Sequence, residues 1–188
     1  MRPRSSLRRD AGIACAVVGL AAVLSVLVSH VTLARDSGAI PYLNPRYGFT
    51  LMVPDALGPV PTRLREEGGL WESDDGQARL LAVAMPNRSG ETLASYRAFV
   101  LQRSYSGAAL DYAPVRATWF VLSGVKDGIM FYERINLVCE GRYIYGWQMT
   151  YPAAESHRWD RVVEAVHRSY RPGRGEDGHC GASARVPG

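Results

Sequence analysis

The stretch WFVLSGVKDGIMFYER, Trp119 to Arg134, decides how this chain is read. Its Ser-Gly pair and its Lys-Asp-Gly cluster can be reactive groups in a site, or they can be the tip of a hairpin. The flanking residues favour the hairpin. Ile129, Phe131, Ile135, Leu137 and Cys139 fall on one side of a strand with period two, and Arg134 and Asn136 fall on the other. Ser123-Gly124 then ends one strand, the turn occupies GVKDG, and Ile129 begins the next. Glu133 interrupts the apolar side, so it is either paired or near an edge.

Working outward, the same alternation continues. After a Glu140-Gly141 turn, Tyr143, Tyr145, Trp147, Met149 and Tyr151 form one stripe, with Ile144, Gly146, Gln148 and Thr150 opposite. Upstream, Tyr47–Val53 is a first strand, and the prolines at 54, 59 and 61 mark residues 54–68 as a loop. Leu70–Ser73 and Ala78–Met85 form a hairpin about Asp74-Asp75-Gly76. Thr92 caps a helix whose apolar face is Leu93, Tyr96, Phe99 and Val100. A last helix presents Trp159, Val162, Val163, Val166 and Tyr170 inward, carries a Glu164–Arg168 pair outside, and stops at Pro172. Three strands, a helix, three strands and a helix predict an α+β fold: a mostly antiparallel sheet of about six strands with helices packed on it. A doubly wound nucleotide binder is excluded by the dominance of hairpins.

The chain has 188 residues, a one-domain length, and a net charge of +4. The charge is concentrated at Arg2, Arg4, Arg8 and Arg9. Residues 35–188 hold 18 basic and 17 acidic groups, so the folded part is near neutral and nucleic acid is not an expected partner. Those arginines precede an apolar run from Ala11 to Val28, the pattern of an export signal, with Thr32 and Ala34 suited to cleavage after Ala34. The run of 18 residues also reaches the length of a membrane anchor. Residues 1–34 are therefore a signal peptide or an N-terminal anchor, and both place the domain outside the cytoplasm, periplasmic or otherwise extracytoplasmic. Any membrane contact is expected only through residues 11–28. Cys15 lies near the start of the apolar run, most of which follows the cysteine rather than precedes it, and this disfavours acylation there. Residues 35–41 are a linker, 42–172 the domain, and 173–188, rich in Gly, Arg and Ser, a disordered tail.

Beyond the N-terminal segment two cysteines remain, Cys139 and Cys180. In an oxidising compartment they can form a disulfide tying the tail to the sheet. The alternative is a buried Cys139 that packs as a small hydrophobe, with Cys180 free in the tail.

The search for chemistry returns little. His157, His167 and His179 lack metalloprotease spacing and a nucleophile-elbow context. The stretch Glu176–Cys180 offers two donors in a flexible tail, too few for a metal site. Asp74-Asp75-Gly76 lacks the later ligands of a calcium loop, and Glu66-Glu67 are adjacent solvated charges. No catalytic, cofactor or metal residues are assigned. Tyr143 and Tyr145 form a binding patch if the helices leave that end of the sheet uncovered, and core packing otherwise.

RYGFTLMVP, DGQARLLAVA, TLASYRAFV, the hairpin above, YIYGWQMTYP and WDRVVEAVHRSYRP together resemble the PsbP-like superfamily over residues 42–172. That group includes photosystem extrinsic proteins, yeast Ran-binding Mog proteins and many exported bacterial proteins. The resemblance implies an α/β/α sandwich, and a role in binding proteins or assembling complexes rather than in catalysis. An export signal argues against Ran as a partner. The expected function is an exported, non-catalytic binding or assembly module with a cell-envelope protein as partner. An enzyme, hydrolase-like, with a site assembled only in three dimensions, and a membrane-tethered structural subunit are the alternatives.

Overall fold

The computed structural model describes residues 38–181. Residues 1–37, which include the expected signal or anchor with Cys15 and residues 11–28, and residues 182–188 of the tail lie outside the described residues. The strands are β1 (Ala39–Leu43), β2 (Thr50–Pro54), β3 (Gly58–Pro59), β4 (Gly68–Glu72), β5 (Arg79–Pro86), β6 (Ala109–Tyr112), β7 (Trp119–Lys126), β8 (Ile129–Val138) and β9 (Tyr143–Pro152). The helices are α1 (Leu93–Arg103) and α2 (Ser156–Ser169). Every strand pairing is antiparallel. Seven strands form one sheet in the order β3-β4-β5-β9-β8-β7-β6, and β1 and β2 form a second, two-stranded sheet.

The β7–β8 hairpin is tighter than the sequence suggests. Gly124, Val125 and Lys126 stay in the ladder, with Lys126 opposite Ile129, and only Asp127 and Gly128 turn the chain. Their φ values of 51° and 78° are the left-handed pair that a two-residue hairpin matched to strand twist requires. The β8–β9 turn also uses left-handed residues, at Cys139, Glu140 and Gly141. The strand therefore ends at Val138, and Cys139 departs from the face it was expected to share.

Two helices cover opposite faces, as the alternation along β9 shows. Tyr145, Trp147 and Met149 pack in one cluster with Trp159, Val163 and Val166 of α2 and with Phe49, Leu51 and Val53 from around β2. Ile144, on the other face, packs with Phe120, Leu122, Phe131, Ile135 and Leu137 beneath Val100 of α1. The α1 N-terminus is held by a capping box: Thr92 Oγ1 accepts from the Ser95 amide at 3.1 Å, and Ser95 Oγ accepts from the Thr92 amide at 3.0 Å. Phe99 is not on the inward face as expected. It is 54% exposed, because Val100 takes the inward position and the helix presents its flank.

Three further expectations change. The stretch read as linker, 35–41, contains the start of β1, which pairs with β2 from Ala39 opposite Pro54. The loop at 54–68 contains β3 and a short 3-10 turn, Arg65–Glu67. The tail does not begin in disorder at Gly173: residues 173–181 pack back on the domain, where the Gly175 amide donates to Tyr145 Oη at 2.8 Å.

Candidate functional site

Cys139 and Cys180 are bonded, with sulfurs 2.02 Å and α-carbons 5.0 Å apart. The bridge closes a sequence separation of 41 residues and holds the tail segment over the end of β9. Arg142 reinforces it, donating from Nε to the Cys139 carbonyl at 3.0 Å and from its Nη groups to the carbonyls of Cys180 and Gly181. Under this strap Tyr145 is fully buried, its hydroxyl donating to the Tyr47 carbonyl at 3.0 Å. Burial pushes its phenol up, against the pull of the Gly175 amide. Tyr143 is half-buried, with its ring edge-on to Tyr47 and Tyr145. The expected patch at Tyr143 and Tyr145 is therefore packing, because the tail supplies the cover that was thought to be missing.

Other residues singled out in the sequence are used locally. Glu176 pairs with Arg46 at 2.7 Å and accepts from the Tyr47 hydroxyl at 3.1 Å. Burial first, and then this carboxylate, push the Tyr47 phenol up to about 12. Asp75 Oδ1 accepts from Ser73 Oγ and from the Gln77 amide, shaping the β4–β5 turn. His157 and His179 are exposed.

The arrangement that sequence reasoning missed lies on the α1 face. Strand register sets Leu70, Leu81, Gln148, Glu133 and Leu122 in one row across β4, β5, β9, β8 and β7. α1 packs on the β7–β8 half and leaves the β4–β5 half open. At the boundary, Tyr105, which follows α1, donates from its hydroxyl to Glu133 Oε2 at 2.6 Å and accepts from Gln148 Nε2 at 2.6 Å. Its ring stacks on Phe131 with centroids 3.9 Å apart, which fixes the hydroxyl in the row. Burial raises the Glu133 carboxyl above its ordinary value, while the Tyr105 hydrogen bond pulls it down. Glu133 is thus the paired case of the two anticipated.

Beside this triad a cavity of about 50 Å³ is lined by Leu81, Val83, Met85, Tyr96, Ile135 and Gly146, among others. Gly146 leaves room there for the tip of Ile135: a β-carbon would lie 2.6 Å from Ile135 Cδ1, which would have to shift. Met85 at its rim is 37% exposed. The lining holds no serine, cysteine or histidine. A wider hollow of about 470 Å³ over Leu93, Thr118, Leu137 and the turn at 139–141 brings in one titratable side chain, Glu140. Chemically, the α1 face offers apolar contact and a hydrogen-bonded carboxyl; the hydroxyl beside that carboxyl is the Tyr105 phenol, which burial holds above its ordinary value and so makes a poor nucleophile.

No protein-family model and no curated protein matches the sequence. Solved structures do match. The cyanobacterial PsbP (CyanoP) from Synechocystis sp. PCC 6803 is similar with a TM-score of 0.54 at 12% identity, over 78% of this chain and 99% of that one. A point mutant of the protein Mog1 is similar with a TM-score of 0.50 at 8% identity, over 72% of this chain and 96% of that one. The Saccharomyces cerevisiae Ran-binding protein Mog1p matches with a TM-score of 0.49 at 9% identity, over 72% and 96% of the two chains. The chain has a PsbP/Mog1-like fold.

Proposed function

We propose that this chain is an exported, non-catalytic binding module of the cell envelope, and that the open half of the α1 face receives its protein partner. The observation that carries the reading is the row from Leu70 to Glu133: partly exposed apolar side chains lead to a carboxyl tied by a hydrogen bond to Tyr105, with no serine, cysteine or histidine among them. Such a surface, apolar at the centre with one or two placed polar groups, suits protein contact. Export is supported by the arginine-then-apolar pattern of residues 1–34 and by a disulfide of the kind that persists in oxidising compartments.

A photo-crosslinking amino acid at Met85 tests it, with the same group at His157 on the outer side of α2 as control. A discrete adduct with one envelope protein is expected from Met85 and not from His157. Equal labelling at both positions, or none at Met85 under native expression, rejects the reading. Intact mass of the protein recovered outside the cytoplasm separates a cleaved signal from a retained anchor.

A further inference from the structure

The other face of the sheet is also half-covered, and its open half is built from different groups. α2 packs on β5 and β9, reaching β8 through His167, whose Nδ1 lies 2.8 Å from the Tyr132 hydroxyl. Beyond that contact Arg134 stands directly opposite Trp147 in the β8–β9 register, and Trp119 stands opposite Asn136 across β7–β8. The Arg134 guanidinium carbon is 4.8 Å from the Trp119 ring centroid and 5.8 Å from that of Tyr170. Its Nε donates to Oδ1 of the buried Asn136 at 3.2 Å. The two rings and this bond fix the guanidinium plane and leave both Nη groups for another acceptor. No carboxylate pairs with Arg134 among the described residues.

Two more donors in the same cluster are unused. Trp147 Nε1 and the Tyr170 hydroxyl have no hydrogen-bond partner among the described residues, although these residues are only 1% and 2% exposed. Their rings lie 6.4 Å apart. Buried donors are seldom left unpaired, and two beside an uncompensated cation form a donor-rich locus. His167 adds no second charge at neutral pH, since burial and then Arg134 hold its imidazole below the ordinary value. Trp119 and Arg134 both remain partly exposed, so the guanidinium end of the locus reaches solvent while the two unpaired donors lie closed off behind it.

The geometry points to a binding site, centred on Arg134, for a carboxylate carried on an apolar or aromatic body. The planar Nη fork matches a carboxylate with two parallel hydrogen bonds. Arg116 lies over the same Trp119 ring, its guanidinium carbon 5.7 Å from the centroid, so a second cation borders the site and phosphate is the anion to test against the carboxylates. The Trp119 ring gives the ligand body an apolar wall.

Fluorescence of the indoles reports occupancy, with each probe titrated at fixed ionic strength. Benzoate represents a free aromatic acid, N-acetylphenylalanine a chain terminus, and inorganic phosphate the competing anion. A saturable response to at least one carboxylate is expected below about 20 mM, weakened about tenfold or more in Arg134→Gln and less in Arg134→Lys. The tighter of the two carboxylates names the source. Absence of saturation, an equal response in Arg134→Gln, or phosphate binding as tightly as either carboxylate overturns the site. Should Arg134→Gln fail to fold, Arg134→Lys decides: affinity equal to the parent rejects the bidentate fork. Tyr170→Phe weakens binding without loss of melting temperature if its hydroxyl serves the ligand; unchanged affinity removes Tyr170 from the site and with it the donor cluster that carries the proposal.

Discussion

Among the described residues, 18 buried hydrophobic residues join into one cluster on the α2 face, drawn from around β2, from β4, β5 and β9, and from α2 itself; on the α1 face the cluster has eight. Only β9 contributes buried residues to both clusters: the α2 side draws on β4 and β5 and the α1 side on β7 and β8, so each helix covers a different half of the sheet. α2 brings Trp159, Val163 and Val166 fully inward and is backed by the β1–β2 sheet, whereas α1 brings Val100 alone to full burial. Stability is therefore concentrated on one face, and the other is free to carry accessible apolar and polar groups. The sharpest way to break this contrast is to truncate one anchor on each helix. Trp159→Ala removes a ring packed near Tyr151 and is expected to cost about 3–5 kcal/mol. Val100→Ala on α1, its one buried residue, is expected to cost about 2 kcal/mol. Urea midpoints measure both, and comparable losses would erase the distinction.

The strap comes next in size. Cys180→Ser frees the tail segment from the β8–β9 turn and is expected to cost about 2–4 kcal/mol, mainly by releasing the unfolded chain from a loop closure. The effect should be directional as well. Hydrogen exchange at the Gly175 amide, bonded to Tyr145, should accelerate more than exchange in β7, which belongs to the other cluster. Uniform acceleration would mean that the strap supports the whole sheet rather than the α2 face.

Much of this architecture is legible in the residues. The period-two stripes of β8 and β9, the inward face of α2 and the Thr92 cap all follow from local chemistry that tertiary contacts then reinforce. β1 and β6 are not legible. β1 carries Pro41 and is largely exposed, and all four residues of β6 are exposed, so neither shows alternation; both exist because a neighbour supplies the ladder. Residues 173–181 have a disordered composition and are held by the disulfide, the Tyr145 phenol, the Arg46–Glu176 pair and Arg142. In the candidate site, Glu133 is conspicuous because it interrupts an apolar alternation. Its partners are not: Tyr105 is 28 residues away in sequence and Gln148 lies 43 beyond Tyr105, and only the register of β8 and β9 with the end of α1 joins them.

That triad supplies the third test. The folded state holds the Glu133 proton more tightly than the unfolded chain, so stability falls as pH rises from the unfolded carboxyl value through the raised folded one. Glu133→Gln keeps an acceptor for Tyr105 and removes the charge. At neutral and higher pH the variant is expected to be more stable than the parent, and the advantage should shrink as pH falls and the parent carboxyl takes up its proton. A variant less stable at pH 7.5 would show that the ionised carboxylate strengthens the α1 face.

The smallest effect on stability carries the most for function. Val83 lies on the open half, opposite Gly146 in the β5–β9 register, partly exposed and outside both buried clusters. Val83→Thr preserves shape and the preference for strand, exchanging a methyl for a hydroxyl that can reach solvent. Its cost in stability is expected to stay within about 0.5 kcal/mol. If the open half receives a protein, the same change places a hydroxyl in the buried centre of that contact. Adduct yield from a crosslinker at Met85 should then fall several-fold while the melting temperature holds. An unchanged yield would leave the α1 face as uncovered sheet without a partner, and a matching fall in stability would assign Val83 to the core.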